Sequence, residues 1–513
     1  MKILKKDLTL DKGMKREWLI TNGLGGYSSS TVIGMNTRKY HGLLVAPLVP
    51  PARRTLILSK IDESIEVSGE KFDLYSNMSE GYISEGYKHQ ESFEKEDIPV
   101  FKYKVGDIEI EKSVSMEYRR NTVCIQYKIQ NKGAEAKMTL APIMNFRDFH
   151  SMTTNHEFDV CQTLKGRKLK VEIDGNSCTP IYVYLNDGEY IEHHGDSFKG
   201  MFYAEEEKRG FYPNEDLVVP GRYEVVIPKT SAKEITFVCS LEENIEEIDF
   251  EKVKLDGVKR IDNLVNRSGL SEEGSLERAL LRNFIIAADN FIVYRPNFGL
   301  HTSIAGYPWF LDWGRDTLIS FEGLLMLTKR FDIAKEIIYT MIRDIKFGLV
   351  PNGYSEYDNR PLYNSADSSL LLFEAVQKYI EYTGDYDFVK DKLYDKLVHV
   401  IDSYKNGIDL DENNIFLDKD YLMVSGTENT QNTWMDAKYA GIAITPRNGK
   451  AVEINAMWYN ALKIIAALSS RFGKEEAAKK YDDLAGKCKA SFEKEFYNAK
   501  KKYLYDVIRR WED

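Results

Sequence analysis

The spacing of hydrophobic residues changes once along the 513-residue chain, and that change limits the fold more than any motif. Up to about residue 245, apolar residues recur at every second position in short runs broken by turn residues, as half-buried strands require. From Thr122 to Gln130, Val123, Ile125, Tyr127 and Ile129 share one face and Cys124, Gln126, Lys128 and Gln130 the other. Asn131-Lys132-Gly133 then reads as a hairpin turn. Similar runs cover residues 101–103, 108–114, 169–173, 181–185 and 223–227. Many strands at short spacing predict an antiparallel sandwich.

A charged stretch, Glu242 to Asp256, separates these strands from a half with helical spacing. Leu276, Leu280, Leu281, Phe284, Ile285 and Ala288 begin it, and residues in roughly 317–329, 332–346, 367–383, 386–405, 452–470 and 474–497 continue it. About seven helices in consecutive hairpins, joined alternately by short links and long Gly/Pro/aromatic-rich loops, predict an α/α toroid with its long loops at one end. The expected organisation is a β-sandwich over residues 1–245, a linker over 246–275 and part of a toroid over 276–513.

A formal charge of -10 supplies no basic stripe for phosphates, which argues against nucleic acid or an anionic membrane as partner. The five cysteines are odd in number, far apart and without a C-x-x-C pair, so neither a disulfide framework nor a metal site is expected, and no cofactor. The N-terminus reaches Asp7 without an apolar signal region, and no later stretch is apolar enough to span a bilayer. A cytoplasmic location follows as the expectation.

The densest chemistry lies in Tyr307-Pro308-Trp309-Phe310-Leu311-Asp312-Trp313-Gly314-Arg315-Asp316-Thr317. Aromatic faces beside fixed charged hydrogen-bonding groups suit a pyranose, whose ring faces are apolar and whose rim is hydroxyl. The alternative is an Arg315 to Asp316 pair capping a helix, with Trp309 and Trp313 in the core. Two further long loops carry Gly348-Leu349-Val350-Pro351-Asn352-Gly353-Tyr354 with Asp367, and Thr433-Trp434-Met435-Asp436 with Thr445-Pro446-Arg447-Asn448-Gly449 up to Glu453. Trp434 and Met435 beside Asp436 predict an apolar setting that keeps its carboxyl protonated, which makes Asp436 the general-acid candidate. Glu453 is the rival acid, and both it and Asp367 have a plain helix-capping reading. Gly23-Leu24-Gly25-Gly26 lacks the third glycine of a dinucleotide loop and reads as a turn between strands. Arg38, His41 and His150 read as structural hydrogen-bonding groups.

Taken together, these segments resemble the glycogen debranching enzymes of the amylo-α-1,6-glucosidase type. Asn22-Gly23-Leu24-Gly25-Gly26-Tyr27 and Asn36-Thr37-Arg38-Lys39-Tyr40-His41-Gly42-Leu43-Leu44 are similar to that family's N-terminal sandwich. Trp313-Gly314-Arg315-Asp316-Thr317, Gly348-Leu349-Val350-Pro351-Asn352 and the 433–453 motifs are similar to its catalytic barrel. The resemblance implies an (α/α)6 barrel that hydrolyses α-1,6-linked glucose at branch points of glycogen, limit dextrin or a related α-glucan, with inversion. It implies Asp436 as general acid and Trp313, Arg315, Asp316, Asp367, Trp434 and Glu453 as substrate-binding residues. The family's base lies in a later motif with no match here. The chain is therefore expected to be a fragment with an incomplete toroid, impaired activity and a tendency to self-associate through an open barrel. Two other readings stay open: an inverting glycoside phosphorylase, and a non-catalytic glycan-binding fragment.

Overall fold

The alternating apolar positions of the first half become two large antiparallel sheets in a computed structural model that describes residues 1–269, 275–410 and 413–509. Strands Ile108–Met116, Thr122–Asn131 and Ser231–Ser240 form the middle of one sheet. Gly42–Val49, the 16-residue Ala52–Val67 and Ala136–Asp148 form the middle of the other. Val123, Ile125, Tyr127 and Ile129 enter one core with Leu44, Leu58, Ile65 and Met138 of the second sheet. Each such side chain contributes about 1.5–3 kcal/mol on burial.

Asn131-Lys132-Gly133 does not close a hairpin. Thr122–Asn131 already has both edges occupied, by Ile108–Met116 and Ser231–Ser240. The Asn131 amide instead accepts from Gly133 N at 2.9 Å and donates to the Ala134 and Pro228 carbonyls at 2.7 and 2.9 Å. This bend carries the chain from the first sheet into strand Ala136–Asp148 of the second. Gly23 to Gly26 form the turn between strands Glu17–Thr21 and Tyr27–Thr31, with Gly23 and Gly25 at φ of 73° and 94°. Asn22 Oδ1 accepts from Leu24 N and Gly26 N, each at 2.9 Å.

The described chain falls into two compact units, Met1–Asn263 and Leu264–Asp513. Helix Phe250–Ser268 occupies most of the stretch read as a linker, and residues 270–274 of that stretch lie outside the described residues. Its charge run hides an apolar stripe: Phe250 packs with Cys124, Val238 and Ile245, while Ile261 and Val265 are buried one turn apart.

The second unit is helical. Helices Ser275–Phe291, Gly314–Phe321, Phe331–Arg343, Ser368–Thr383, Tyr394–Asn406, Val452–Arg471 and Glu475–Phe496 follow the expected pattern. Gly314–Phe321 continues through a wider turn, Glu322–Met326, and Tyr394–Asn406 is entered through Tyr386–Leu393. Helix Ser368–Thr383 packs between Gly314–Phe321 and Val452–Arg471, over a core that includes Phe373, Val376, Tyr404 and Trp458. Each of these three helices follows a long loop. Among the described residues no helix is long and apolar enough to cross a membrane.

Candidate active site

Three long loops meet where those three helices begin. Gly314 N donates to the Asn352 carbonyl at 2.7 Å, and a side chain at Gly314 would put its Cβ 2.5 Å from the Pro351 oxygen, so only glycine lets the first two loops touch. Asn352 is buried; its Oδ1 accepts from Arg315 N at 3.4 Å and from Ser368 Oγ at 2.9 Å. The third loop joins through Ala366 N, which donates to the Asn432 carbonyl at 2.8 Å.

Arg315 is the centre of the assembly. Its Nε donates to Asp367 Oδ2 at 2.6 Å, Nη1 to Asp436 Oδ2 at 2.7 Å and Nη2 to the Thr433 carbonyl at 2.9 Å. The guanidinium thus draws on residues 52 and 121 positions away, and it is nearly buried. Burial alone would lower its pKa, but the Asp367 and Asp436 carboxylates outweigh that and raise it.

The capping reading does not hold for Asp367. Asp367 stands at the N-cap of Ser368–Thr383 yet makes no side-chain cap bond; its oxygens go to Arg315 and to Ser365 Oγ. Trp313, half-buried, occupies the N-cap of Gly314–Phe321, where Asp316 lies in the first turn. Asp316 is solvent-exposed at its outer edge but crowded. Desolvation raises its pKa first, Arg315 and a hydrogen bond from its own backbone N–H in the first helical turn pull it down, and the Asp436 and Asp367 charges push it up, leaving a net rise. Asp312, in the same segment, belongs to the scaffold: Arg295 grips both of its oxygens at 2.8 and 2.6 Å, with both residues buried.

The apolar setting expected around Asp436 is absent. Trp434 is 56% exposed, and the partner of the Asp436 carboxylate is the Arg315 guanidinium. Glu453 stands in a second cluster rather than beside Asp436. Both its oxygens accept from Arg447, which also donates to Asp506 and, at 3.4 Å, to Thr433 Oγ1. Thr433 therefore joins the clusters, giving its carbonyl to Arg315 and its hydroxyl to Arg447.

The sequence reading gave no role to Asn352, Ser365, Thr433, Arg447 or Asp506. The first four lie within or next to motifs already singled out, and Arg447 with a carboxylate six residues on is a signal of pairing. Nothing in the sequence marks Asp506. It arrives because strand Val507–Ile508 pairs with Lys450–Ala451.

The family model described as glycogen debranching enzyme N terminal matches residues 16–233, and the one described as amylo-alpha-1,6-glucosidase matches residues 286–513. A Saccharomyces cerevisiae protein described as glycogen debranching enzyme is 28% identical over 210 residues, a match that spans 31% of this chain and 14% of the yeast protein. The crystal structure of a bacterial glucoamylase complexed with acarbose has a TM-score of 0.53 at 13% identity, covering 93% of this chain and 64% of the glucoamylase chain. That likeness concerns the fold.

Proposed function

Because the chain belongs to the glycogen debranching enzyme family, a family of glycosidase type, we propose that it hydrolyses α-1,6-linked glucose at the branch points of an α-glucan. The observation that carries this reading is the convergence of Asp367 and Asp436 on Arg315, with Asp316 within reach of all three charges. The fold likeness to glucoamylase supports reading the helical unit as part of an (α/α)6 toroid. Loops at one end of such a ring form a pocket for a chain end.

In this reading Trp313 offers an apolar face to the terminal glucose, and Arg315 and Asp316 address neighbouring hydroxyls. Asp367 keeps the guanidinium oriented. Asp436 protonates the bridging oxygen, and its present bond to Arg315 gives the order of events. A sugar hydroxyl that takes over Nη1 frees Oδ2, and the carboxylate, parted from its cation, takes up a proton from water and then passes it to the bridging oxygen. Trp434 stands exposed beside it for the departing glucan. Glu453 supports the wall through Arg447. The proposed outcome is inversion, which requires a second carboxylate about 6.5–9.5 Å from the acid to activate water, a role that no residue named above fills.

The deciding experiment is release of glucose from branched limit dextrin by the 513-residue chain, with and without phosphate. Phosphate-independent release of β-glucose, seen by NMR before mutarotation, and its loss in Asp436→Asn are expected. Sugar phosphate formed only with phosphate would replace hydrolysis by phosphorolysis. Binding of the dextrin without product would reduce the chain to a glycan binder.

A further inference from the structure

Arg447 has no place in the chemistry just described, yet it is more completely engaged than any residue that has one. Its side chain is only 3% exposed. Nε and Nη2 donate to the two Asp506 oxygens at 3.1 and 2.7 Å, and Nη2 also to the Asp506 carbonyl at 3.2 Å. Nη1 and Nη2 hold Glu453, and Nη1 reaches Thr433 Oγ1. One guanidinium thus ties four separate stretches of chain together.

All of those stretches but the one at Thr433 are anchored independently. Glu453 is in the first turn of helix Val452–Arg471. The 506–508 segment is fixed by Val452 N donating to the Asp506 carbonyl at 3.0 Å and by the pairing of Lys450 with Ile508. Gly449, at φ 110°, lies so close to this segment that a Cβ would stand 2.7 Å from the Ile508 oxygen. Ser425 and Gly449 exchange two backbone bonds at 2.9 Å. Residues 433–436 hang between these anchors and Arg315.

We infer that Arg447 is a positioning residue: through the Thr433 hydroxyl it fixes the height of the loop that presents Asp436 to substrate. The fork geometry is what qualifies it, since three acceptor groups in different directions match a planar guanidinium and not a point charge. This inference rests on the proposed role of Asp436, and the test separates the two. The full chain is compared with Arg447→Lys, Thr433→Val and Thr433→Ser by amide hydrogen exchange and by limit-dextrin hydrolysis.

Arg447→Lys and Thr433→Val are expected to speed exchange in residues 433–437 while leaving helix Val452–Arg471 protected, and Thr433→Ser is expected to restore the wild-type rate. A misplacement near 1 Å lowers kcat on the order of 10²-fold, with KM changing much less. Unchanged exchange at 433–437 in both variants overturns the inference, as does a loss carried by KM alone. Should the unmutated chain release no glucose, the functional reading falls, and the exchange comparison still decides whether Arg447 holds the loop.

Discussion

Arg315 and Asp436 lie 121 residues apart in sequence and 2.7 Å apart in space. Asp367 holds the opposite side of the same guanidinium, and it is the more deeply buried carboxylate of the two. The pair with Asp367 therefore supports the scaffold, and the pair with Asp436 faces solvent and is the one a ligand can displace.

Removing Arg315 strands the buried Asp367 carboxylate. Arg315→Ala is expected to lower unfolding free energy by about 3–5 kcal/mol, and Arg315→Ala with Asp367→Ala to recover part of that loss. Denaturant melts of the two variants check this. A double variant no more stable than the single one refutes the strandedness argument.

Asp436→Asn keeps the size of the side chain and an oxygen for Arg315 while removing the carboxyl that the proposed reaction uses as its acid. Glucose release should fall by about 10²–10⁴-fold with dextrin affinity retained, as calorimetry and initial rates will show. Trp313→Ala should show the complementary pattern, with affinity weakened by about 0.5–1.5 kcal/mol beyond lost contact area.

The Arg295 and Asp312 pair is buried on both sides, and each partner depends on the other. Arg295→Ala is expected to cost about 3–5 kcal/mol, whereas replacing both with apolar residues of similar volume should cost much less. Thermal denaturation of the three proteins distinguishes a costly lone charge from a merely useful contact.

Stability at low pH should depend on Glu17. Desolvation pushes its carboxyl upward, but His41 at 3.7 Å and Arg38, which donates to it at 2.8 Å, prevail and hold the pKa at about 2, below an ordinary 4.5. Folding therefore favours the ionised form. The stabilisation is complete above 4.5 and is lost as pH falls toward about 2. Glu17→Gln should lower Tm at neutral pH and narrow its gap to wild type across that window; a constant gap would count against it.

The sequence disclosed elements whose apolar positions keep a strict period, and hid those in which charge is buried. Helix Val452–Arg471 and strand Thr122–Asn131 fall within a residue or two of their expected limits. The longest strand, Ala52–Val67, escaped because Arg54, Lys60 and Glu63 interrupt the alternation while being buried themselves. Their partners are remote: Lys112 and Tyr127 donate to Glu63, and Lys60 reaches Ser76. The site behaved similarly. Which loops carry the polar groups was readable, because glycines, prolines and aromatics interrupt the helical spacing there. Which carboxylate meets which guanidinium was not, because pairing depends on how three helix ends sit side by side. Thus Glu453 went to Arg447, and the environment of Asp436 proved ionic where its flanking residues are apolar.

The strand at Val507–Ile508 also sets a time at which the Arg447 cluster can form. During synthesis Arg315 emerges from the ribosome well before Asp436, and Arg447 before Asp506. Arg315 lacks its full set of acceptors until Asp436 is out, and Arg447, which emerges later, lacks its own until Asp506 is out. The cluster of Thr433, Arg447, Glu453 and Asp506 is accordingly complete only once Asp506 has joined it, and helix Val452–Arg471 must hold its place until then.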